Sequence, residues 1–262
     1  MEPTEPTALT PGWRAWGRML AAGTAVTFAA GTLLSALDAL NVTTPEPEFA
    51  KGADLPSRIL TTLENQSERF AWVLAATLLA AASFALLAAL GPVLRRAFGG
   101  SEPQRSLITG TLLMGGIIGV IAELGFIGGQ AVASDATYCE CAFKDAQLIA
   151  RSGLLDLVSS VQSWLTYGAV VIFAVGFLAI ASAARQTEGV PRAWGALSVL
   201  LGVLLLAVAV INAGLPPLAS SAGWQIDTNL VAGVPSLLVL LVLIPWWALW
   251  LRSWLREEPA ST

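Results

Sequence analysis

Apolar runs about as long as a bilayer is thick recur six times along this chain, separated by short polar stretches. Roughly 20 such residues in a helix cross a hydrocarbon core of about 30 Å. The runs lie at about 20–40, 70–90, 107–132, 157–184, 193–213 and 230–251. They predict an all-α bundle of six transmembrane helices in a single membrane domain. Its outer loops fall at 41–69, 133–156 and 214–229. The first run follows Arg14 and Arg18 as a signal peptide would, but it is too long for one, and no small-x-small cleavage site follows.

The basic residues set a direction. Arg14, Arg18, Arg95, Arg96, Arg105, Arg185, Arg192, Arg252 and Arg256 all fall on one side of a six-crossing chain. The opposite side holds Lys51, Arg58, Arg69, Lys144 and Arg151, diluted by more numerous carboxylates. Positive charge marks the cytoplasmic side, so both termini are expected there. Trp13, Trp16, Trp194, Trp246, Trp247, Trp250 and Trp254 lie near that same level. Indole rings anchor at membrane interfaces, so they predict an aromatic belt, a cation cage being the alternative.

The polar stretches carry finer signals. Leu55, Ile59, Leu60 and Leu63 recur at helical spacing, and Pro56 suits a first helical turn, so a short outer helix should run on into the second span. Pro216-Pro217 predicts a stiff outer loop, and Pro235 and Pro245 predict kinks in the sixth span.

Composition agrees with a membrane protein and narrows its chemistry. Of 262 residues, 55% are hydrophobic and 12% charged, against about 25% charged in soluble domains. Histidine is absent, which removes the commonest haem ligand, the usual zinc and copper ligand, and any Ser-His-Asp machinery. Lys51 and Lys144 lie outside the apolar runs, so no lysine can carry a buried Schiff base. No cofactor and no metal is expected. A net charge of −4 points to no nucleic-acid partner. Arginine far outnumbers lysine, as in a GC-rich bacterial genome, and the bacterial plasma membrane is the expected location. Expected partners are the lipid bilayer and a membrane protein or second copy of the chain.

Two features of the third run bear on function. Gly115 and Gly119 are four apart, as are Gly125 and Gly129, so each pair shares a helix face on which a neighbour can approach closely. The third span is therefore expected at the centre of the bundle, with a homodimer seam or mobile helix as the alternative. Between the pairs, near the middle of the span, stands Glu123. A bare carboxylate there costs several kcal/mol, so it should face the interior or carry a proton. No basic residue lies in any apolar core, which leaves neutral partners: Gln130, Gln162, Ser163, Tyr167, Thr77, Ser83 and Asn212. Structural glue and a proton-relay or ligand-binding carboxylate both fit.

Asp38, Asp156 and Asp227, with Gln162, Trp164 and Trp224, are candidates to line an outward-facing mouth, and Asp156 would suit a helix N-terminus. Cys139 and Cys141 are the only cysteines, in an outer loop where the compartment is oxidising. A disulfide across one residue is a tight, labile ring. The pair fits an incidental role, redox chemistry, or metal binding beside Asp135, Glu140 or Asp145.

Gly176-Phe177-Leu178, Ala183-Ala184-Arg185, Val190-Pro191-Arg192-Ala193-Trp194-Gly195 and Pro245-Trp246-Trp247 resemble a bacterial family of six-helix membrane proteins of unknown function. The resemblance implies a cytoplasmic turn joining the fourth and fifth helices and supplies no catalytic residue. The leading functional expectation is a non-enzymatic accessory subunit or binder of lipid-like ligands. The alternatives are a proton-coupled transporter or channel using Glu123, and a thiol redox protein using Cys139 and Cys141.

Overall fold

A computed structural model describes residues 9–135, 145–222 and 228–256, and every regular element among them is helical. The elements are α1 (Pro11–Ala39), α2 (Leu55–Ala97), α3 (Glu102–Asp135), α4 (Asp145–Ala184), α5 (Arg192–Ala222), α6 (Thr228–Leu237), a π-helical turn (Leu238–Leu243) and α7 (Ile244–Trp254). Among the described residues six stretches are long and apolar enough to cross a membrane, the last being the π-helical turn with α7 and the end of α6. The protein is thus an integral membrane protein by length and composition of its helices.

Each helix packs against its neighbours in sequence, and α1 meets α7 to close the ring. The third span is not the central one. It packs chiefly against α2 and α4, which also touch each other behind it. Leu113, Met114, Ile117, Ile121 and Leu124 form its outward stripe and are exposed. The most enclosed span is α4, whose Ala169, Ala174, Phe177, Ile180 and Ala183 are fully buried. The reason is visible in the side chains. Phe84 of α2 stacks on Phe173 of α4 with ring centroids 5.9 Å apart, filling the space a central helix would need.

The expected outer helix is present and continuous with the second span. Asp54 caps it, its carboxylate accepting the Ser57 amide at 3.0 Å, and Pro56 sits in the first turn. The loop before it folds back: Asn65 donates to the Pro45 carbonyl at 2.8 Å, and Arg58 lies over the Phe49 ring. The expected loop 133–156 is mostly helix, because α4 starts at Asp145. Leu155 repays that extension by packing on Leu63, with Ile59 beside them, in a small core separate from the main one. Asp156 is consequently an exposed residue in mid-helix rather than at a helix start.

Proline effects differ from expectation. Backbone helix runs through Pro216 and Pro217 to Ala222, where a stiff loop was expected. Neighbouring helices allow a membrane helix to tolerate a missing N–H. The last span breaks between its prolines. An α-helical Pro245 would press its ring on the carbonyl four residues back. The wider π turn relieves this, and the Ile244 amide bonds to the Val239 carbonyl, five residues back.

The tryptophan belt is only partly a belt. Trp16 and Trp246 are exposed, but Trp194 and Trp247 are buried in the main core. Their rings stack at 5.2 Å, and Phe177 packs edge-on against Trp247 at 4.9 Å. Phe98 joins Trp194 and Trp254, both at 5.7 Å. These rings fill one another's space, so they form no cage for a cation. Position near a span end suggested an interface, but a short turn between α4 and α5 draws α5 inward and buries its first indole.

Candidate functional site

The packing is uneven along the membrane normal. At the arginine-bearing end the core is sealed by Phe177, Ile180, Trp194, Trp247 and Leu251. Toward the outer end it loosens. Residues 156–168 of α4 include no buried side chain, α5 has none described after Ala209, and α3 has none described after Glu123. Glu123 is therefore the last buried residue of α3 among those described, at the floor of a less tightly packed outer half.

Glu123 is 7% exposed. Its one hydrogen bond among the described residues is from the Gln162 side-chain amide of α4, at 3.4 Å. At 1.5 Å of rise per residue, Glu123 stands roughly 27 Å along the helix from Arg105. That is beyond the middle of the span, toward the outer end. The depth follows from where the first basic residue of α3 lies, not from the centre of the apolar run.

The other candidate partners are elsewhere or otherwise engaged. Thr77, Ser83 and Ser163 each donate to the carbonyl four residues back, at 2.7, 2.7 and 2.9 Å. Asn212 donates to the Val208 carbonyl at 2.8 Å and to Ser236 at 3.3 Å, which ties α5 to α6. Tyr167 packs edge-on against Trp164, at 5.9 Å between centroids. Gln130 is half-buried two turns above Glu123 on the same face, and no hydrogen bond joins them. Trp164 is 65% exposed and faces away from the bundle.

Asp38 is not part of a mouth. Arg69 of α2 holds it by an ion pair of 2.9 Å and by a 2.9 Å bond to its backbone carbonyl, and Thr43 donates to it at 2.8 Å. Sequence reading missed this clamp because the partners are 31 residues apart. Cys139, Cys141, Trp224 and Asp227 lie outside the described residues. No cluster of three cysteines or carboxylates among the described residues is placed to hold a metal.

The glycines of α3 divide by neighbour. A methyl on Gly115 would meet Phe173 and one on Gly119 would meet Phe84, so this pair does share a face, laid over the stacked rings. Gly129 abuts Val158 of α4, whereas Gly125 faces open space, so the second pair does not form a seam. Gly116, outside either pair, is among the closest approaches, with a methyl there 2.7 Å from the Phe84 carbonyl oxygen.

No family model, no curated protein and no solved structure matches this chain. The likeness of the last three spans to a six-helix bacterial family thus remains a likeness of motifs.

Proposed function

We propose that this protein binds a lipid-like, amphipathic ligand that enters from the outer end and is anchored by Glu123 and Gln162, acting alone or as an accessory subunit of a membrane assembly. The arginine-bearing end and both termini face the cytoplasm of a bacterium in this reading. One observation carries it. A buried carboxylate, whose hydrogen bond among the described residues comes from a neutral side-chain amide, closes the sealed part of the bundle beneath half-buried side chains. An intramembrane polar group of this kind marks a functional site by default. A ligand with a hydrogen-bond donor beside an apolar body matches that carboxylate and the apolar walls.

Native mass spectrometry of protein released gently from its own membrane tests the proposal. A discrete small mass on the wild type, absent from Glu123→Gln, supports it. A wild type that carries no small mass and no second polypeptide overturns it. A second reading, proton-coupled transport, draws on the lack of any basic partner to hold Glu123 ionised. Proton-driven flux in liposomes that is unchanged in Glu123→Gln would end that reading.

A further inference from the structure

The opposite end of the bundle carries a second candidate site, independent of Glu123. Between α4 and α5 the chain makes a short turn whose residues line a groove of about 610 Å³. Arg185 and Arg192 both line it, with Gln186, Thr187, Gly189 and the carboxylate Glu188. Both guanidinium groups are exposed, and neither makes an ion pair among the described residues. That sets them apart from Arg95 and Arg105, which share Glu102, and from Arg96, which lies 3.8 Å over the Trp13 ring.

The turn is held in place from two directions. The Trp254 indole donates to the Gly189 carbonyl at 3.1 Å. The Thr187 hydroxyl accepts the Gly99 amide at 2.9 Å, which fastens this turn to the one between α2 and α3. Two such struts hold the backbone of the turn that joins the arginines, and a preset backbone lowers the ordering cost of binding.

The surface leading out of the groove is apolar. Ala196, Leu200, Val203, Ala207 and Val210 are all exposed and recur every three or four residues, so they form one stripe along α5. The stripe starts one turn above Arg192 and extends roughly 21 Å into the membrane span. A pair of unpaired arginines at the membrane boundary therefore stands at the foot of an apolar track that faces hydrocarbon.

We propose that this groove binds the phosphate-bearing headgroup of an anionic phospholipid between Arg185 and Arg192, with an acyl chain laid along the α5 stripe. Guanidinium groups suit phosphate oxygens, which they can meet with paired hydrogen bonds. With Glu188 present, the three charged side chains of the groove sum to one positive charge, which favours an anionic lipid over a zwitterionic one.

Lipid binding to the full-length protein in detergent, read by native mass spectrometry, tests this. Phosphatidylglycerol and phosphatidylcholine of the same acyl chains are compared on the wild type, on Arg185→Gln/Arg192→Gln, and on Arg252→Gln/Arg256→Gln. The last removes equal charge at the same end but outside the groove. The wild type should prefer phosphatidylglycerol about ten-fold or more, the groove variant should lose that preference, and the other should keep it. Arg185→Lys/Arg192→Lys should retain most of it, which separates lost charge from lost folding. Equal loss in both Gln variants means diffuse attraction and overturns the site. Displacement of the lipid by inorganic phosphate at constant ionic strength assigns the groove to a soluble anion and overturns the lipid.

Discussion

Trp194 and Trp247 hold each other by reciprocal use of their indoles. The Trp194 N–H donates to the Trp247 backbone carbonyl at 3.1 Å, and the Trp247 N–H donates to Ser198, one turn along α5 from Trp194, at 2.9 Å. Ser198 in turn donates to the Trp194 carbonyl at 3.1 Å. The last helix is thus joined to α5 by stacking and by a closed set of hydrogen bonds in a dry core. Trp247→Ala should cost about 3–5 kcal/mol. Ser198→Ala, which strands a buried N–H, should cost about 1–3 kcal/mol. Trp246→Ala, at an exposed ring, should stay within about 0.5 kcal/mol. Thermal unfolding in detergent ranks the three, and equal losses at Trp246 and Trp247 would contradict the packing.

The glycines of α3 make a contrast on one helix. Gly116→Ala puts a methyl against Ala88 and the Phe84 backbone, where overpacking costs about 1–3 kcal/mol. Gly125→Ala meets nothing within 4 Å, so it should be neutral or gain up to about 1 kcal/mol from helix propensity. The same unfolding assay reads both signs.

The Asp38–Arg69 clamp should show itself in a double-mutant cycle. The side chains are 19% and 22% exposed, so solvent screens the pair in part. Asp38→Asn and Arg69→Gln together should reveal a coupling of about 0.2–1 kcal/mol. A coupling of zero would mean that the two outer helix ends do not depend on this contact.

At the start of α2, hydrogen bonds from the Ser57 side chain and amide hold the Asp54 carboxyl below its ordinary value of 3.8. A group depressed in the folded state contributes stability above its unfolded pKa and loses it as pH falls through the folded one. The Ser57 amide resonance should therefore titrate with a midpoint below 3.8. In Asp54→Asn, which still caps but cannot titrate, that resonance should stay flat. A wild-type midpoint at or above the ordinary value would show that the cap is not formed.

Much of the architecture was legible because hydrocarbon imposes long apolar runs and short charged joints. The spans, the arginine-rich end and the outer helix entered through Pro56 all follow from that one constraint. Depth and neighbours did not. Nothing local distinguishes buried Trp247 from exposed Trp246 beside it, since one helical step of about 100° decides which ring meets Phe177. Arg69 gave no sign of Asp38, and Gly125 looked as suited to close packing as Gly119. Glu123 stood out as costly, and Gln162 was among its possible partners. Choosing it over Asn212 required knowing that α4, not α5, lies beside α3.

The ring of neighbours carries a consequence for how the molecule is made. Almost every contact joins a helix to the one synthesised just before it, so each span meets its partner soon after it leaves the ribosome. Among the described elements, the seam between α1 and the last span must wait longest, until that span is made. Until then Gly17 of α1 lacks its cover from Leu255. A ribosome stalled before residue 244 would leave an open arc of helices with one raw edge, which is the form that a quality-control protease in the bilayer would meet.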